Sequence, residues 1–333
     1  MFKNLTVYRI GAEWRPSLAQ IEAALEKATF SPCGATQPSA AGWVPPRGEP
    51  NGPLVEAVGG HWFLQLMTEQ RLVPGPVVKQ RVEEMAQAIE QSTGRKPGRK
   101  QLKELKDEAL QELLPRAFTR RGGSRIWIAP KLGWLMLDCA SQSRAEEAVT
   151  LLIKCFDGLS LSLLQTEMSP AVAMAHWLGQ GEAPQGFTVD RECELKSTDE
   201  MKSVVRYARH PLDTDEVRQH IGAGKMPTRV ALTWQDRVSF VLTESLQLKK
   251  LEFLDVVFEA AGSKAPKDKS EAFDADAAIL TGELVELVPT LLDALGGEQD
   301  LMGSASPQPA SPTPVPAPMT PHPVADHAPP WDV

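Results

Sequence analysis

At 333 residues, with 42% hydrophobic and 23% charged side chains, the chain has the composition of a soluble globular protein with room for a sizeable core. A net charge of −8 and a pI near 5.4 exclude a generally cationic protein, so any surface for a polyanion must be a local patch. No run of 18 apolar residues is present, the first residues lead into a strand instead of a secretory leader, and four separated cysteines (Cys33, Cys139, Cys155, Cys193) read as buried thiols of a reducing cytoplasm.

Alternating side chains predict an edge or half-buried strand from Asn4 to Ile10, and Ser17-Leu-Ala-Gln20 is a capping box opening a helix to about Lys27. Phe30-Ser-Pro-Cys-Gly34 and Gly42-Trp-Val-Pro-Pro46 read as rigid turns. His61–Arg71 reads as a strand, and a helix begins with Pro76 and runs to about Gln91.

The segment from Arg95 to Arg121 stands out. Six cations (Arg95, Lys96, Arg99, Lys100, Lys103, Lys106) face a single intervening acid, Glu104. Leu102, Leu105, Ala109, Leu110, Leu113 and Leu114 recur at helical spacing, so one face buries while Arg99, Lys100, Lys103 and Lys106 line another. Pro97 and Gly98 open that helix and Pro115 ends it. Arg116, Arg120 and Arg121 then surround Phe118, and their planar donor forks suit phosphate. The alternative is a solvated helix with i,i+4 pairs such as Lys100 with Glu104 and Lys103 with Asp107.

Downstream, Ser124–Ala129 and Trp134–Asp138 flank a hairpin turn, and Ser143–Phe156 is helical. Strands are predicted at 186–190, 203–208, 230–234, 238–242 and 248–253, with turns at Gln235-Asp236 and Glu244-Ser245. Helices are predicted from Asp213 to Ile221 and from Phe273 to Leu295, with Asp274 and Asp276 set to stabilise the start of the latter. Without regular βαβ spacing the class is α+β, with antiparallel sheets and helices. We divide the chain into an N-terminal α+β region (1–75), a helical basic projection (76–123), a central and C-terminal α+β region (124–298) and a disordered Pro-rich tail (299–333). Ten of the 28 prolines fall between Pro307 and Pro330, and the Pro-Pro-Trp-Asp-Val end is an inert solubilising tail or a recruitment peptide.

Catalytic patterns are sparse. Gly224-Lys225 lacks the earlier glycine of a phosphate-binding loop, Gln219 standing there, and Met226 replaces its Ser or Thr. The histidines have no metal-binding spacing, and no cofactor is expected.

Phe2-Lys-Asn-Leu5, Phe30-Ser-Pro-Cys-Gly34, Gly42-Trp-Val-Pro-Pro46, Leu113-Leu-Pro-Arg-Ala-Phe-Thr-Arg120, Leu137-Asp-Cys-Ala-Ser141, Glu194-Leu-Lys196, Ala223-Gly-Lys225, Leu232-Thr-Trp-Gln235, Phe273-Asp-Ala-Asp276 and Thr281-Gly-Glu-Leu284 together resemble the bacterial RdgC family, in order from residue 2 to about 298. The resemblance implies a non-enzymatic, nucleoid-associated protein of the cytoplasm. It implies a homodimeric ring that encircles double-stranded DNA with little sequence preference and restrains RecA-promoted strand exchange; single-stranded DNA is a further partner.

On that basis Lys96, Arg99, Lys100, Lys103, Lys106, Arg116, Arg120, Arg121, Arg125, Arg209, Lys225 and Arg229 are the expected phosphate contacts. Phe118 is expected either at one dimer contact or in the core. His210, near Arg209 and Lys225, marks the other dimer contact, although the two cations there serve DNA equally well. Two rivals stand beside this reading: a protein-binding regulator with little DNA affinity, and a metal-dependent nuclease built on Asp138, Glu194 and Asp274.

Overall fold

Alternation of side chains across a central sheet organises the molecule. The structure, a computed structural model, describes residues 1–260 and 268–299; beyond Gln299 the Pro-rich segment lies outside the described residues. Twelve strands and eight α-helices occur among them. The first half contains β1 (Asn4–Ile10), α1 (Leu18–Glu26), β2 (Ser39–Val44), β3 (Val55–Val58), β4 (His61–Leu72), α2 (Gly75–Thr93), α3 (Arg99–Leu113), β5 (Phe118–Ala129), β6 (Trp134–Leu137) and α4 (Gln142–Cys155). The second contains β7 (Leu161–Leu163), α5 (Pro170–Gln180), β8 (Phe187–Ser197), β9 (Val204–Ala208), α6 (Asp215–Gly222), β10 (Lys225–Trp234), β11 (Val238–Thr243), β12 (Leu248–Phe253), α7 (Asp255–Ala260) and α8 (Lys269–Ala294).

The strands form one sheet in the order β2-β4-β5-β6-β1-β12-β11-β10-β8-β9, with β3 on β4 and β7 on β1, and every ladder is antiparallel. The expected α+β class with antiparallel strands is the one found. Among the described residues no helix is long and apolar enough to cross a membrane.

β1 is the seam between the two halves of the sheet, pairing Thr6–Arg9 with β6 and Asn4 and Leu5 with β12. Successive side chains point to opposite faces. Leu5 and Val7, Trp127 and Ala129, and Trp134 and Met136 therefore enter one core, with α5 and α8. Tyr8 and Ile10, Ile126 and Ile128, and Leu135 and Leu137 enter a second core, with α1 and α4. Burial on both faces explains the uninterrupted apolar runs of β5 and β6. Each buried aliphatic side chain contributes about 1.5–3 kcal/mol.

Several local expectations hold. Ser17 and Gln20 close the capping box on α1, and the reversals at Gln235-Asp236 and after Thr243 use left-handed backbone at Gln235, Asp236 and Leu246. Others are corrected. Gly42–Val44 is strand instead of turn, with Trp43 buried; β2 ends against the prolines that suggested a loop. Gly42 lies so close to the neighbouring segment that a Cβ would sit 2.5 Å from the Phe30 Cα. Helix α5 was not anticipated, although Ser169 caps it and Pro170 opens it. Asp274 and Asp276 do not stabilise the start of α8, since Asp268 caps that end. Instead Asp274 pairs with Arg47 at 2.7 Å and Asp276 with the N-terminal amine at 3.3 Å.

Candidate nucleic-acid interface

β4 and β5 pair along their full length, from Trp62 opposite Ile128 to Leu72 opposite Phe118. Helices α2 and α3 are inserted at the Leu72–Phe118 end and pack on one another. Their turn follows from sequence: Gly94, with φ of 71°, closes α2 in the left-handed conformation, then Pro97 and Gly98 restart the chain as α3. Buried residues of this hairpin are few, Val78, Leu105 and Ala109, with Leu114 sealing the end in a 3-10 turn, Leu114–Arg116. An ion pair, Arg81 to Glu112 at 2.9 Å, ties the two helices.

Arg95, Lys96, Arg99, Lys100, Lys103 and Lys106 are all exposed, and none forms an ion pair among the described residues. The i,i+4 pairs of Lys100 with Glu104 and Lys103 with Asp107 are not made, although α2 does form such a pair between Lys79 and Glu83 at 3.7 Å. The first turn of α3 carries no acid, and its Gly98 cap offers no side-chain acceptor. Cations therefore gather at the end of the helix that already bears positive partial charge, with its N–H groups unclaimed by a side chain. That arrangement is costly for an isolated helix and favourable once an anion sits beside it.

The other predicted contacts separate into free and committed groups. Arg116 and Arg120 are exposed and make no ion pair among the described residues. Arg121 alternates to the opposite face, where it donates to buried Glu69 at 3.1 Å and lies over the Phe30 ring. The Cys33 backbone N–H foremost, joined by Arg121, holds the Glu69 carboxyl below its ordinary pKa against the cost of burial. Arg125 donates to the Met1 carbonyl at 2.5 Å and lines a concavity of about 590 Å³ with Lys3 and Arg144, cations that the sequence reading passed over. Asp138 sits in the same hollow, accepting from the Asn4 backbone at 2.9 Å.

On the second half of the sheet, Glu194 collects two arginines. It accepts from Arg206 at 2.5 Å, Arg229 at 3.4 Å and Thr228 at 2.8 Å. Burial opposes its ionisation, but the Thr228 and Arg206 hydrogen bonds and the two guanidinium charges prevail and hold its pKa low. Arg206, also absent from the predicted set, faces Glu194 across the β8–β9 ladder. Arg209 follows β9 in the left-handed conformation, φ 56°, and is exposed.

His210 and Lys225 meet through intermediaries. The Tyr207 ring lies 5.5 Å from His210 and 6.5 Å from His220, and Lys225 Nζ lies 2.9 Å from His220 Nδ1. Tyr207 donates to Glu216 at 3.0 Å; burial, reinforced by that carboxylate, pushes its pKa up to about 12.

Phe118 is 87% exposed, opposite the half-exposed Leu72. It is not a core residue of this chain, and residues 118–123 are strand. Among the described residues no three His, Cys, Asp or Glu side chains form a metal-ligating group, and the trio Asp138, Glu194 and Asp274 is engaged by Asn4, by two arginines and by Arg47 respectively.

A family model described as "Putative exonuclease, RdgC" matches residues 1–298. A recombination-associated protein RdgC of Dechloromonas aromatica is 47% identical over 300 residues, 89% of this chain and 98% of that protein. The namesakes of Cupriavidus pinatubonensis and Bordetella pertussis are 48% and 42% identical over 298 residues, 90% of this chain and 99% of each relative. Since the matches take in nearly all of each relative, these proteins leave almost nothing to correspond to the Pro-rich residues that follow.

Proposed function

The chain belongs to the RdgC family, whose members compared above carry the name recombination-associated protein, and from that premise we propose that it is a non-enzymatic duplex-DNA-binding protein. It acts in the cytoplasm on the nucleoid as a homodimeric ring, occupies DNA without sequence preference and so limits RecA-promoted strand exchange. The observation that carries this reading is the set of six exposed cations leading into and along the first half of α3, none in an ion pair among the described residues. Phosphate neutralisation needs no base-reading constellation and draws its free energy from counterion release. The whole chain carries −8 with the patch included, so the rest of it is more acidic still, repels DNA and leaves the basic patch as its landing point.

Arg116 and Arg120 extend the patch, while Lys3, Arg125 and Arg144 form a second cationic hollow. Arg121 and Arg229 serve first to hold buried carboxylates, so their phosphate contribution is secondary. A ring of two identical chains needs two self-complementary contacts. The exposed Phe118 ring supplies an apolar anchor for one, and the Tyr207-His210-His220-Lys225 cluster lies at the other.

The test is binding to two unrelated duplexes across a KCl series. Near-equal affinities and a steep linear fall of log K with log salt are expected. Strong preference for one sequence, or binding indifferent to salt, overturns the reading.

A further inference from the structure

A second concavity, of about 600 Å³, lies where the β1–α1 loop, the start of β4 and the β5–β6 turn converge. Its size is that of a site for one small-molecule unit. Measured along β4, ten residues separate Trp62 at this end from Leu72 at the α2–α3 end, roughly 33 Å at the strand rise of 3.3 Å per residue. The hollow is therefore a separate place on the molecule.

Its lining has an uncommon composition. Trp14 and Trp62 contribute half-buried indoles, while Arg15 and Lys131 are exposed at the rim and make no ion pair among the described residues. Arg15 spends only its Nε, on the Ala12 carbonyl at 3.1 Å. Arg9, which also lines the hollow, is already neutralised: Glu298 grips it through two contacts, the Leu132 carbonyl accepts from it at 2.7 Å, and its guanidinium lies over Trp134. Glu298 is thus consumed, and Glu13, beside Trp14 in sequence, does not line the space.

Trp14 is braced by Phe156, with ring centroids 5.6 Å apart, and by its backbone bond to Gly11, so the indole is pre-positioned.

Indole faces beside free cations form the combination that holds a nucleobase by stacking and its phosphate by charge. A base inside a duplex has both faces covered by neighbours and cannot enter; an unpaired base can. We infer that this hollow binds an unpaired nucleotide of a single DNA strand, its base against Trp14 or Trp62 and its phosphate on Arg15 and Lys131. The inference shares with the proposed function only the class of ligand, and α3 takes no part in it.

The experiment measures anisotropy of labelled (dT)10 and of a duplex of equal length with the full chain, an Arg15→Ala/Lys131→Ala variant and a Trp14→Leu variant. The charge variant changes exposed side chains alone and so keeps the test valid if the tryptophan variant folds poorly. Each folded variant is expected to bind (dT)10 about tenfold more weakly, within the range measured for stacking contacts, with duplex affinity within twofold of the unaltered chain.

Unchanged (dT)10 affinity in the charge variant, an equal loss for duplex, or no binding of (dT)10 by the unaltered chain overturns the inference. Each of those results leaves the salt dependence of duplex binding to judge the proposed function separately. Displacement of (dT)10 by free dTMP at equal nucleotide concentration would instead identify a mononucleotide as the occupant and overturn the strand.

Discussion

Replacing Phe118 by Ala tests the dimer contact with little disturbance of the fold. The ring is 87% exposed at the end of β5, so it buries little against its own chain and its loss removes few intrachain contacts. In a two-fold contact each Phe118 is buried against the partner, and full burial of such a side chain is worth about 1.5–3 kcal/mol. Two rings per contact make roughly 3–6 kcal/mol, which weakens association by about 10²–10⁴-fold at 1.4 kcal/mol per decade. Sedimentation velocity over a thousandfold concentration range should show dissociation at concentrations where the unaltered chain stays associated, with the far-UV circular dichroism of the protomer unchanged. Phe118→Leu should restore part of the association. An unaltered sedimentation profile, or a changed circular dichroism spectrum of the variant, would refute the reasoning.

Gly42→Ala should destabilise the protein by about 1–3 kcal/mol, because the new Cβ meets backbone atoms of Phe30 and Thr29 at 2.5–2.8 Å and no flexible side chain can yield; urea unfolding measures it. Glu194→Gln should cost about 1–2 kcal/mol at pH 7, a figure discounted because Arg206 and Arg229 are well exposed. The folded-state pKa of Glu194 is depressed, so its contribution is complete above the ordinary carboxylate pKa of about 4.3 and fades as pH falls through the lower folded value. The gap between the two proteins should therefore close as pH falls through that folded value; a gap equal at pH 7 and in acid would show that the charge is not responsible. Leu284→Ala, in the fully buried centre of α8, should cost about 2–5 kcal/mol by the same assay, and a loss under 1 kcal/mol would contradict the core assignment.

Much of the scaffold was legible where a local rule dominates. The strand at β1, the Ser17 capping box, the early proline of α2, the helical period of α3 and the Pro115 stop appear in structure where the residues indicate them, but β1 is a central strand buried on both faces and not the edge or half-buried strand its alternation suggested. β2 was hidden because Pro45 and Pro46 follow it closely, and only its pairing with β4 fixes it as strand. The basic helix was legible because its cations are consecutive in sequence, and their lack of partners needed coordinates. Glu194 with Arg206 and Arg229 was illegible, since it depends on the register of three strands with bulges between β8 and β10. The exposure of Phe118 belongs to the same class: sequence leaves a core ring and an interface ring alike until the facing element is known.

The most direct test of DNA binding through α3 compares the salt dependence of duplex affinity for the unaltered chain and for the Arg99→Ala/Lys100→Ala/Lys103→Ala variant. All three side chains are exposed and make no ion pair among the described residues, so the fold should survive their removal. The account predicts a log–log slope shallower by roughly one unit per lost phosphate contact, about three in all, with weaker binding to every sequence. Superimposable salt curves for the two proteins would contradict it.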